Sequence, residues 1–160
     1  KMVMCGCTLD YAFKKMKEIK AKKRYSTTSV IVALTLSAPF FAIMFGGTFK
    51  DSLVAFVIMA IQAAFITFTS KYKLTLFVSN FLGAFIATVL VLLLNKIFLI
   101  HNPFSIIIMS LMPLVPGVQV TNAVRDFMAG DYLSGMIGIQ AAIFVSTAIA
   151  LGVVMGLKLV

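Results

Sequence analysis

Along most of this chain apolar residues follow one another in long blocks, separated by short polar or glycine-bearing breaks. A helix needs about 20 such residues to cross a ~30 Å hydrocarbon core. The blocks at 28–45, 52–69, 74–99 and 133–157 therefore each predict a transmembrane helix. A further one, 104–128, predicts a span broken at 116–117, where Pro116 removes a backbone donor and Gly117 loosens the chain. The expected fold is all-α: a polytopic membrane protein of five transmembrane helices with a Pro/Gly-broken fourth.

The breaks carry their own signals. Pro39 should kink the first span, Gly46-Gly47 should end it, and Asp51-Ser52 are placed to cap the second. Gln62 in the second span and Asn80 in the third are expected to hydrogen-bond a neighbouring helix, worth about a kcal/mol or less, with a substrate contact as the alternative. The twelve residues from Phe104 to Val115 make only about 18 Å of helix, so a crossing requires the helix to resume after Gly117 and run to about Met128. Asp131 is placed to cap the last span. Gly135, Gly138, Ala142, Gly152 and Gly156 there would let helices approach closely.

Positions 1–25 differ in kind. Leu9, Phe13, Met16 and Ile19 recur at helical spacing among Lys14, Lys15, Lys17, Lys20, Lys22, Lys23 and Arg24, which predicts a basic amphipathic helix on the cytoplasmic side. Its basic run is too long for a secretory signal and no cleavage site follows. An uncleaved first span is expected, in a chain lacking its own start. Cys5 and Cys7, with no further Cys or nearby His, predict reduced cytosolic thiols and no metal or cofactor.

Composition settles the class. Of 160 residues 61% are hydrophobic and only 12% charged, against about 25% charged in soluble domains. The net charge of +9 does not point to nucleic acid, because eight of the fourteen basic residues lie within the first 24 positions. Under five spans, eleven basic residues fall on the side of the tail and three on the other (Lys50, Lys96, Lys158), which predicts a cytoplasmic amino terminus. The expected location is the inner or plasma membrane.

Three motifs carry a resemblance. Pro113-Leu114-Val115-Pro116-Gly117, then Thr121-Asn122-Ala123-Val124-Arg125-Asp126, then Gly130-Asp131-Tyr132-Leu133-Ser134-Gly135 resemble the signature of the threonine/serine exporter family. Phe45-Gly46-Gly47, Asp51 to Phe56 and the stretch from Asn80 to Ala87 are similar to its earlier spans. The resemblance implies one half of a two-half transporter, partnered by a second five-span half, fused or separate. It also implies a soluble cytoplasmic region ahead of the first span, of which positions 1–25 would be the end. The implied substrates are small hydroxylated amino acids, with dicarboxylates for some two-subunit members. Assembly into a homo-oligomer is left open.

A transporter must hold a hydrophilic solute at a depth where each lost hydrogen bond is costly. A helix restarting at Pro116-Gly117 offers the free amides of Val118 and its successors to a carboxylate, and Thr121 and Asn122 one turn on to an amine or hydroxyl. The alternative for these residues is an ordinary capped helix start. Adjacent Arg125 and Asp126 project about 100° apart and cannot pair with each other. Asp126 is the carboxylate placed to approach the path and take a coupling proton, with snorkelling to the surface as the alternative. Enzyme signatures are missing: no span carries two carboxylates, and no HExxH or nucleophile elbow occurs. The competing reading is a non-transporting membrane scaffold or assembly subunit.

Overall fold

The computed structural model describes residues 9–21, 26–72, 75–98 and 100–160. Cys5 and Cys7, the basic residues Lys22, Lys23 and Arg24, and Lys73, Leu74 and Leu99 at the ends of the third span lie outside the described residues. Seven α-helices follow in order: α1 Leu9–Ala21, α2 Thr27–Met44, α3 Phe49–Lys71, α4 Leu76–Phe98, α5 Pro103–Leu111, α6 Gly117–Met128 and α7 Tyr132–Leu159. A 3-10 turn, Met112–Leu114, follows α5.

Lys1–Val30 and Ile31–Val160 form two compact units. In the first, α1 exposes Phe13 and Met16 of the expected apolar stripe. Lys15 and Glu18 form a surface ion pair at 3.5 Å, worth under about 1 kcal/mol.

The second unit holds the long apolar helices. Among the described residues three are long and apolar enough to cross a membrane: Phe49–Thr69, Leu76–Phe98 and Tyr132–Leu159. A fourth results if Pro103–Leu114 and Gly117–Met128, bent by 54°, count as one span. The five expected spans are thus three to four by length and composition. The difference lies in α2, whose apolar stretch Thr28–Met44 is shorter. Its 18 residues measure about 27 Å, because the chain turns at Gly46 with φ +86, where Gly46 and Gly47 donate to the carbonyls of Ile43 and Ala42.

Small residues set the packing. On α7, a Cβ at Gly152 would stand 2.5 Å from the Phe81 carbonyl oxygen, and one at Gly156 2.8 Å from Thr88 Cβ, so α4 and α7 touch nearly backbone to backbone. Gly138 meets Ala123 of α6, and the Phe127 ring covers Gly135. One core joins Ala38 and Ala42 of α2 to Ile58 and Met59 of α3, Val91 of α4 and Ile106 and Met109 of α5. A second joins Ala84, Leu114, Val145 and Ile149.

Two loops meet at one end. The carboxylate of Asp51 accepts the Thr48 N–H and hydroxyl, each at 2.8 Å, and its other oxygen accepts the His101 N–H at 3.1 Å. Ser105 Oγ donates to the Phe45 carbonyl at 2.7 Å. The α2–α3 turn and the α4–α5 loop are therefore fastened together, as alternating spans require.

Candidate functional site at the helix break

Proline chemistry produces the break in stages. Pro113 tightens the end of α5 into the 3-10 turn, and Val115 is extended at φ −61, ψ 130. Pro116, at φ −78, ψ 47, is the centre of an inverse γ-turn in which the Gly117 N–H donates to the Val115 carbonyl at 2.8 Å. One amide of the new helix is thereby used. Val120 N–H donates to the Pro116 carbonyl at 3.1 Å, and no side chain caps α6. The N–H groups of Val118 and Gln119 are left to the positive end of the α6 dipole.

Both residues line a cavity of about 250 Å³ together with Leu76, Asn80, Leu114, Val115, Pro116 and Val145. A larger groove of about 410 Å³, also touching Pro116, is lined by Leu111, Ser146, Ile149, Ala150, Val153 and Val154 and is mostly apolar. The smaller cavity thus brings two side-chain amides, Asn80 and Gln119, to the residues that start α6.

The expected site residues divide. Pro116 and Val118 line the cavity, while Gly117 is exposed with open space around its α-carbon. Thr121 and Asn122 are exposed, and Thr121 Oγ1 donates back to the Gly117 carbonyl at 2.9 Å. Arg125 is exposed, Asp126 half-buried, and neither has an ion-pair partner among the described residues. At 100° per residue, Gln119, Asn122 and Asp126 fall within about 60° of one another on α6, with Arg125 and Thr121 further round the helix. Ala123 and Phe127 face α7 instead.

Asp131 caps α7: its Oδ1 accepts the Ser134 N–H at 3.2 Å and its Oδ2 the Ser134 hydroxyl at 2.8 Å. These two bonds hold its carboxyl below the usual aspartate value. Asp131 therefore serves the turn and lies away from the break.

Two site residues escape sequence reasoning. Asn80, expected to grip a neighbouring helix, instead donates from Nδ2 to the Leu76 carbonyl of its own helix at 2.6 Å and lines the cavity. Gln119 lines it too, with Oε1 buried and without a protein donor. The available signal was its position: a polar residue two places after the Pro-Gly break, on the first turn of the new helix. Gln62 does bind across helices, its Nε2 donating to the Gly83 carbonyl at 3.2 Å.

Long apolar helices joined backbone to backbone, with one bent pair exposing free amides, define a multi-pass α-helical membrane protein. Residues 2–160 match the family ThrE, described as "Putative threonine/serine exporter". The chain belongs to that family. It matches no curated protein and no solved structure.

Proposed function

We propose that this chain is one half of an exporter of small hydroxylated amino acids, threonine or serine, working with a second membrane half and driven by the proton gradient. The observation that carries the reading is that Val118 and Gln119, whose amides are unpartnered at the start of α6, line a cavity together with Asn80. Free amides at a helix start suit a carboxylate at membrane depth, and neighbouring side-chain amides suit an amine or hydroxyl.

In this reading α2 is the first of five spans, the amino terminus is cytoplasmic in the inner or plasma membrane, and the bent α5–α6 pair crosses as one. The surface of α6 supports the second half. Thr121, Asn122 and Arg125 are exposed on a span that lipid would otherwise surround, and polar groups at that depth require protein or a watery cavity. Asp126, half-buried on the same helix face as Gln119, takes the coupling proton. A dicarboxylate is the second substrate class.

The scaffold reading is favoured by one feature, the glycine contacts of α7, which serve packing alone. Export distinguishes the two. Cells loaded with threonine and carrying this chain with its second half should lower internal threonine faster than cells lacking either. Equal efflux in all three would leave the scaffold.

A further inference from the structure

We infer that Leu114 is a gate between two orphaned amide oxygens, and that Gln62 behind it is the inner contact for the ammonium or hydroxyl donors of the solute. The inference rests on the exporter reading and adds to it a direction of binding and a moving part.

Gln62 is 1% exposed on α3. Because its Nε2 donates to the Gly83 carbonyl, the orientation of the amide is fixed and Oε1 is the atom left over. That oxygen is buried and has no protein donor. A glutamine kept only to tie α3 to α4 would gain from having both ends bonded, so an unpaired acceptor in a bundle core calls for a donor that arrives from elsewhere.

Leu114 packs beside the Gln62 amide and also lines the cavity. A Cβ at Gly83 would lie 3.2 Å from Leu114 Cδ1 and 3.3 Å from Gln62 Nε2, so the leucine methyls and the glutamine amide share the space above Gly83. Asn80 and Gln119 line that cavity with it. It sits at the end of the 3-10 turn, next to extended Val115, where the helix ladder is already interrupted. Such a turn moves more readily than an uninterrupted helix.

The acceptors all lie on one side of the problem. Gln119 Oε1 and Gln62 Oε1 lack protein donors, and Asn80 Oδ1 adds a third acceptor, its Nδ2 keeping one N–H beyond the bond to Leu76. An ammonium brings three donors and a hydroxyl one. The carboxylate goes to the Val118 and Gln119 amides, and the donor end points past Leu114 toward Gln62. A dicarboxylate has no donors for that end.

Thiol labelling of Gln62→Cys tests this without requiring export. The full-length protein with its second half, with Cys5→Ser and Cys7→Ser, is labelled in membranes by a small hydrophilic thiol reagent. Labelling should be slow with Leu114 in place, faster by about tenfold in Leu114→Ala and intermediate in Leu114→Val, as local opening governs access. Threonine should slow it by occupying the cavity, and in the protein with Leu114 in place Gln62→Met should weaken threonine binding about tenfold while leaving succinate binding unchanged. A rate independent of residue 114 overturns the gate. Threonine binding unchanged by Gln62→Met, or weakened no more than succinate binding, overturns the donor contact. Gated labelling slowed by threonine in a protein that exports none keeps the site and removes the exporter reading.

Discussion

The carboxylate of Asp51 accepts the backbone N–H of His101 at 3.1 Å, joining residues fifty positions apart while it caps its own helix through Thr48. Asp51 is nearly fully buried, so each of these donors would be left unpaired by its removal. Asp51→Ala should destabilise the protein by about 1–3 kcal/mol. Asp51→Asn should lose less, since its remaining oxygen can still accept. Thermal unfolding in detergent, at fixed lipid content, reads both.

Backbone contact between α4 and α7 gives a second expectation. Gly152→Ala places a Cβ 2.5 Å from the Phe81 carbonyl, a contact that only separation of the helices relieves. Gly117→Ala meets nothing within 4 Å. The first should lower the unfolding temperature or the membrane level clearly, by about 1–3 kcal/mol of overpacking, and the second should leave both near normal.

Asp131 supplies a pH-dependent cap. Its pKa is lowered in the folded protein by the Ser134 hydroxyl and N–H. The cap's contribution is therefore present above the unfolded aspartate value and fades as pH falls through the lowered folded value. Amide exchange at Leu133 and Ser134 should accelerate in that acidic window. In Asp131→Ala it should be fast at neutral pH already and show no such step.

In the proposed function the coupling proton goes to Asp126. Asp126→Asn, with the second half present, should retain assembly but export threonine independently of the proton gradient. Asp131→Asn should leave that dependence intact. Normal gradient dependence in Asp126→Asn would place coupling in the other half.

Much of this was legible in the sequence because it is local. Hydropathy located the helices to within a few residues, Pro116-Gly117 located the break, and Asp131 three places before Ser134 announced a cap. Gly152 and Gly156, spaced by one turn, pointed to a close helix contact, though not to Phe81 and Thr88 as what they touch. The reach of Asp51 to His101 was hidden because it depends on which helix ends meet in space. Asn80 and Gln119 were hidden for the same reason: a polar residue on an apolar helix shows its need for a partner and not whether a cavity supplies it. The end of α2 was legible as well, since Gly46-Gly47 marked it, and what the structure adds there is the positive φ of Gly46.

The central claim is that the interrupted helix, and not the bundle alone, performs export. Replacing Pro116 and Gly117 together by Ala restores the donor at 116, removes the inverse γ-turn and lets α5 and α6 approach one continuous helix, engaging the Val118 and Gln119 amides. The decisive measurement is threonine efflux from loaded cells carrying this double variant and the second half, at matched membrane levels. The account predicts efflux at the level of cells lacking the chain; undiminished efflux at normal membrane level would contradict it.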